Sequence, residues 1–338
     1  MRLPNFLKPG DTIGLVAPSF GANIEPYKTR LESAIKYLHQ ENFKVKVFGD
    51  IFGYFQGASA SKEKRAKAFV DAYADKDVKA IWSVSGGELM FEILPLIDFN
   101  ELIKHEPKFF IGYSDNTNLT FTLTTLIDII SVYAPCLTTF GMQPLDPFLK
   151  ETMSLLKGNK ITQHASKYYE PVDAVVVDPL GPYSLTEKTK WYNLFNEDEI
   201  HLKGRTIGGC LDVLISLVGT PYDNVKEYVN KYKEDNIIWF LEVADLNIFN
   251  YKKALWTLKE AGWFKSAKGI LFGRSRATNN TLDLELYSTT KDILKDLNIP
   301  IIMDMDIGHV SPMLTMFTGG LIEVFNSKET STIKFNLK

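Results

Sequence analysis

The chain is poor in the residues that cross-link or ligate, with two cysteines and five histidines among 338 residues. Cys136 and Cys210 form no Cys-x-x-Cys pair and cannot build a disulfide framework, which excludes a small secreted disulfide scaffold. Both sit in apolar sequence, where cysteine is commonly a small buried hydrophobe, and a reducing, cytoplasmic location is expected. Positive charge is not in excess either: 38 Lys and Arg face 41 Asp and Glu, a formal net charge of −3. No basic run is interleaved with aromatics, so no nucleic-acid polymer is expected as a partner. Long apolar runs are missing as well. Residues 123–135 are broken by Thr, Asp and Ser and are too short to span a bilayer, so no membrane is expected. Residues 1–10 lack the apolar core of a secretory signal. A dinucleotide-binding Gly-x-Gly-x-x-Gly, a Walker A loop and a His-Glu-x-x-His are all missing. Hydride transfer, nucleotide hydrolysis and metal chemistry therefore have no support, and neither metal nor organic cofactor is expected.

What remains is an ordinary globular composition, 45% hydrophobic and 12% aromatic, in a chain long enough for two hydrophobic cores. The first half alternates strand and helix signals. Strands are expected at residues 12–17, 43–48, 80–84, 108–112 and 131–134, and helices at 27–42, 61–73 and from Thr117. That alternation implies a parallel sheet with helices on both faces. After a helix at 147–157 and the stretch 172–177, residues 178–203 are rich in Pro, Gly, Thr, Lys and Glu with weak periodicity. Their aromatics, Tyr183, Trp191, Tyr192 and Phe195, argue against simple disorder. Residues 208–218 read as a buried helix and 237–243 as an apolar strand. Helices at 251–262 and 282–297 and strands at 268–272, 300–304, 314–317, 321–325 and 330–335 complete the pattern. The expectation is an α/β protein. An N-terminal parallel-sheet α/β domain with a nucleophile elbow (1–165) is followed by a linker and long loop (166–205). A mixed α/β, strand-rich C-terminal domain (206–338) closes the chain.

Ser114 stands where the apolar strand Phe109-Phe110-Ile111-Gly112 gives way abruptly to a helix, the setting of a nucleophile elbow. Such a turn lifts the side chain above the carboxyl ends of the strands, and the helix N-terminus favours a developing oxyanion. The Gly-x-Ser-x-Gly pattern lacks its last glycine, and a second reading stays open: Ser114 or Asp115 simply caps the helix. A serine nucleophile needs a base. His39, His105, His164 and His201 lie in polar sequence and read as surface residues. His309 lies in the turn Asp306-Ile307-Gly308-His309-Val310-Ser311-Pro312 between apolar strands, held as a base or as a structural histidine. Glu242 closes Trp239-Phe240-Leu241-Glu242; it is an exposed strand terminus or a buried carboxylate that requires a partner. Gly86-Gly87 is a tight turn or a place where a backbone N–H faces substrate. Asp304-Met305-Asp306 reads as turn sequence before it reads as a metal pair.

Taken together, Leu15-Val16-Ala17-Pro18-Ser19, Ser85-Gly86-Gly87 with Leu94-Pro95-Leu96-Ile97-Asp98, Gly112-Tyr113-Ser114-Asp115 and Gly208-Gly209-Cys210-Leu211 resemble the serine LD-carboxypeptidase family, which includes microcin C self-immunity proteins. Phe240-Leu241-Glu242 and Gly308-His309 complete the set in the family's order. The resemblance implies a Ser–His–Glu triad split between the domains, with Ser114 as nucleophile, His309 as base and Glu242 orienting it. It also implies an oxyanion hole from the backbone N–H groups of Asp115 and the Gly86-Gly87 turn, no cofactor, and a homodimer. The implied substrate is a small peptide or a peptidyl-nucleotide. The long 178–203 segment resembles the loop of the immunity-type branch, with Trp191 either stacking on a base or packing. Leu246, four residues past Glu242, is apolar where a cation would meet an acidic substrate group.

Overall fold

The computed structural model describes residues 1–174, 177–276 and 280–337. The chain divides into two compact units, one formed by Met1–Asn159 with Ala174–Tyr183, the other by Lys160–Asp173 with Ser184–Lys338. Residues 166–205 are thus shared: 174–183 belong to the first unit and the rest to the second. Part of the 172–177 stretch, residues 175 and 176, lies outside the described residues.

The first unit contains β1 (Thr12–Val16), α1 (Tyr27–Gln40), β2 (Lys44–Val47), α2 (Lys62–Ala74), β3 (Val78–Ser83), α3 (Phe99–Leu102), β4 (Phe109–Gly112), α4 (Thr117–Ile127), β5 (Ser131–Tyr133) and α5 (Pro147–Leu156). Its strands run parallel in the order β5-β4-β3-β1-β2. Consecutive residues of β1, β3, β4 and β5 are buried, the mark of a parallel sheet covered on both faces. β2 is the exception. Its Lys-Val-Lys-Val sequence is mostly exposed at the sheet edge, where lysines discourage pairing with another chain.

The second unit contains β6 (Thr162–His164), β7 (Tyr168–Tyr169), β8 (Glu187–Lys188), β9 (Tyr192–Asn193), β10 (Glu199–Cys210), α6 (Leu211–Leu217), α7 (Val225–Tyr232), β11 (Ile237–Glu242), α8 (Ile248–Glu260), β12 (Ala267–Gly273), α9 (Leu286–Leu294), β13 (Ile301–Met305), β14 (Met316–Thr318), β15 (Leu321–Ser327) and β16 (Ser331–Asn336). Its main sheet is mixed, in the order β6-β16-β15-β10-β11-β12-β13-β9. β10 to β13 are parallel, while β6, β16, β15 and β9 add antiparallel edges. The architecture is the expected one: a parallel-sheet N-terminal region and a strand-rich mixed C-terminal part.

Three local readings differ from the structure: the helix expected at 282–297 begins only at Leu286, and the other two concern β10 and α7. Residues 208–210 end the long β10 rather than begin a helix, and α6 starts only at Leu211. Gly208 is the reason: its φ is +151°, and a Cβ there would lie 1.8 Å from the Phe240 carbonyl oxygen of the paired strand. Helix α7 was not expected, although its buried residues Val225, Tyr228, Val229 and Tyr232 follow helical spacing.

Candidate active site

In the first unit, fully buried β4 ends in a sharp turn. Tyr113 is extended, and Ser114 has φ +63°, in the left-handed region. A non-glycine residue held there costs about 1–3 kcal/mol and persists only where its surroundings over-determine it. They do so here. The Ser114 N–H donates to Tyr133 Oη at 3.1 Å, and the Asn116 amide donates to the carbonyls of Tyr113 (2.9 Å) and Ser85 (3.1 Å). Asn116 also explains Gly112, since a Cβ at that position would meet Asn116 Cγ at 2.6 Å. The absent last glycine of the elbow pattern is therefore replaced by a side chain that locks the turn.

The helix-cap reading of Ser114 and Asp115 loses its footing. The cap residue of α4 is Asn116, without a side-chain cap bond. Asp115 is buried and its carboxylate accepts from Ser19 Oγ (2.5 Å), the Met90 N–H (2.9 Å) and Asn118 Nδ2 (2.9 Å). Burial raises its pKa against those hydrogen bonds. By tying Ser19, Met90 and Asn118 to one carboxylate, Asp115 fixes the loops around the serine. The Gly86-Gly87 turn passes directly beside it: a Cβ on Gly86 would lie 3.3 Å from Ser114 Oγ, and one on Gly87 would lie 2.1 Å from Ser19 Oγ.

In the second unit, β11 delivers Glu242 with no solvent exposure. Its Oε2 lies 2.8 Å from Nδ1 of His309, whose side chain is 9% exposed. Two glycines make room for this carboxylate. A Cβ on Gly308 (φ +94°) would stand 2.4 Å from Glu242 Oε2, and one on Gly273 would stand 3.0 Å from Glu242 Cβ. Burial lowers the pKa of His309, but the charge and hydrogen bond of Glu242 outweigh it and hold it above the usual histidine value. Glu242 and His309 are thus brought together, while Ser114 belongs to the first unit.

Two neighbours of the pair escaped the sequence reading. Cys210, read as a small hydrophobe, ends β10 beside β11; its Sγ and donor atoms of Glu242 and His309 lie within 4.8 Å of one another. The three positions are far apart in sequence, so no ligand spacing could reveal them. Asp212 accepts the N–H groups of Ala244 (3.1 Å), Asp245 (2.8 Å) and Leu246 (3.1 Å), securing the loop that follows Glu242. Leu246 takes part through its backbone.

Trp191 is 4% exposed, and its indole N–H donates to Asp306 Oδ2 at 2.8 Å. The ring is thus packed within the second unit. Asp306 also accepts from Ser166 Oγ and Arg274, each at 2.5 Å, and Asp304 accepts from the Tyr287 hydroxyl. Both carboxylates therefore brace the turn that carries His309, which answers the metal-pair reading. Beside Val310, a cavity of about 390 Å³ is lined by Tyr169, Tyr192, Tyr287, Lys188 and Lys190.

A strained serine at a strand–helix turn in one unit and a buried carboxylate–imidazole pair in the other are groups suited to hydrolytic chemistry. Residues 13–134 match the LD-carboxypeptidase N-terminal domain and residues 203–324 the LD-carboxypeptidase C-terminal domain, so the chain belongs to the LD-carboxypeptidase family of peptidases. It is 25% identical to the probable murein peptide carboxypeptidase of Bacillus subtilis (strain 168), over 98% of this chain and 94% of that one. It is 26% identical to the microcin C7 self-immunity protein MccF of Escherichia coli, over 95% and 93%. Among solved structures, the MccF-like protein from Bacillus anthracis str. Ames is similar with a TM-score of 0.85 at 26% identity, covering both chains in full. MccF in complex with aspartyl sulfamoyl adenosine shares the fold with a TM-score of 0.82 at 23% identity, over 99% of each chain. Among the described residues, no helix is long and apolar enough to cross a membrane.

Proposed function

We propose that the chain is a serine-type hydrolase that cleaves a small peptide-like substrate with a Ser114–Glu242–His309 triad. Ser114 Oγ attacks the carbonyl carbon while His309 Nε2 takes the hydroxyl proton and later returns it to the leaving group. Glu242 holds the other ring proton on Nδ1 and balances the imidazolium without becoming protonated. The N–H groups of Asp115, Gly86 and Gly87 receive the oxyanion, where fixed donors cost no reorganisation. The observation that carries this reading is the buried 2.8 Å bond between Glu242 and His309. A carboxylate without exposure has to be paired, and this one is paired to the imidazole whose charge it raises.

Within the family, the reading we favour is the immunity-type branch, acting on a peptidyl-nucleotide. Support comes from the cavity beside Val310, where Lys188, Lys190 and Arg274 outnumber the one carboxylate, Asp304, beside tyrosine rings, a lining that suits an aromatic base and an anionic linkage. The other reading is a muropeptide LD-carboxypeptidase that removes terminal D-alanine, the activity suggested by the B. subtilis relative's name. A cytoplasmic location and a homodimer, as the family resemblance implies, complete the proposal.

Mass spectrometry of a substrate panel decides between the branches. Aminoacyl-sulfamoyl adenylates should be cleaved to free sulfamoyl nucleotide, whereas loss of D-alanine alone from a muropeptide would move the assignment to wall-peptide trimming. Ser114→Ala should abolish turnover and keep ligand binding measurable. A wild-type protein that binds the same ligands and turns over none would instead be a sequestering protein.

A further inference from the structure

We infer that Cys210, Glu242 and His309 form a capture site for a soft divalent cation of the zinc type, whose occupancy switches the triad off. The donors are a thiol, a carboxylate and an imidazole, with all three donor atoms within 4.8 Å of one another. Thiolate and imidazole together select zinc-like ions over magnesium or calcium. Three protein ligands with a fourth position left for water is a common zinc arrangement. With bonds of about 2.0–2.3 Å, donors around one tetrahedral ion stand about 3.5 Å apart, so the widest separation here closes by a side-chain adjustment. Charge favours the same ion, since thiolate and carboxylate together neutralise two positive charges in a site where an unbalanced charge would be costly.

Proton bookkeeping gives the consequence. On binding, the thiol proton leaves to solvent as the thiolate becomes a ligand. The Nδ1 atom that faces Glu242 becomes a metal ligand, so the single proton of the neutral ring must sit on Nε2. A ring protonated at Nε2 cannot accept the serine's proton. The inhibitory part rests on Glu242 and His309 acting as orienter and base; the binding part does not.

The test starts with the full-length protein in metal-free buffer, titrated with cobalt(II) and followed by thiolate-to-metal charge-transfer absorption. Zinc affinity is measured by competition with a chromophoric chelator. One equivalent should bind. Cys210→Ser should lose the absorption and weaken zinc binding by more than about 100-fold, beyond what loss of an outer partner costs. His309→Gln should weaken it comparably, and Cys136→Ser should bind as wild type does. Zinc should raise the wild-type melting temperature, a readout independent of whether a variant folds well. No stoichiometric binding by wild type, or an unchanged absorption in folded Cys210→Ser, would overturn the site. Zinc should also stop turnover of the cleaved substrate, with full recovery on chelation. Turnover that continues with the site filled overturns the switch. A metal-free protein that binds zinc through Cys210 yet cleaves nothing overturns the hydrolase reading and leaves the site standing.

Discussion

At His309, burial and charge pull in opposite directions, and the balance sets two pH dependences of opposite sign. Removing an imidazole from water favours its neutral form, yet the Glu242 charge and hydrogen bond hold its pKa above the ordinary value. The folded pKa is therefore higher than the unfolded one, about 6.5. The ion pair's stabilisation is complete below that pH and is lost as pH rises through the raised folded value. Catalysis requires the neutral base, so kcat/KM should climb only above about pH 6.5. Glu242→Gln removes the two largest raising influences and leaves burial, with the weaker effects of Arg276 and Asp212 opposing one another. Its acid limb should move to lower pH even as the maximal rate falls by about 10²–10⁴-fold. Paired pH–rate profiles check this; a limb that stays in place would show that Glu242 does not hold the charge. The strand ends that carry Ser114 and the Glu242–His309 pair were legible, because each position sits at the end of, or just beyond, an apolar strand. Trp191 left both stacking and packing open, because the carboxylate that its indole N–H bonds is 115 residues away in sequence.

Elements with one dominant signal were read closely, and those with two were not. The buried parallel strands of the first unit are apolar runs between helices, and observed bounds fall within about two residues of those expected. β10 misled because its last residues, Gly208-Gly209-Cys210, lead straight into apolar α6; only the approach of the Phe240 carbonyl shows that they are extended. Helix α7 carries its buried stripe among Lys226, Glu227 and Lys231, which dilute the hydrophobic signal. The β10–α6 junction also places Asp212 under the loop after β11, and three N–H groups depend on it. Asp212→Ala should therefore destabilise the protein by about 1.5–3 kcal/mol, the worth of a hydrogen bond to a charged acceptor. Asp212→Asn, which keeps one acceptor oxygen, should recover part of that loss. Chemical denaturation of the three proteins measures the difference, and equal midpoints would show that the loop holds itself.

At the scale of the molecule, the sequence announces two cores but not how the chain is apportioned between them. Local patterning cannot show that 174–183 joins the first unit while the flanking segments 160–173 and 184–338 join the second, because that exchange depends on contacts distant in sequence. The division has a functional consequence under the triad reading. The nucleophile belongs to one unit and its base to the other, so hydrolysis requires both to be native at once. Multi-domain chains commonly depart from two-state unfolding. Along a denaturant series, activity should therefore vanish with whichever unit opens at the lower concentration, while the other still protects its amides. Pulsed hydrogen exchange read by mass spectrometry separates the units by peptide, with strands β1, β3 and β4 reporting on the first and β10, β11 and β12 on the second. The expected result is an activity midpoint that coincides with the earlier of the two protection midpoints. Activity that survives the opening of either set of strands would mean that the serine and the histidine do not act together, and the triad would have to be abandoned.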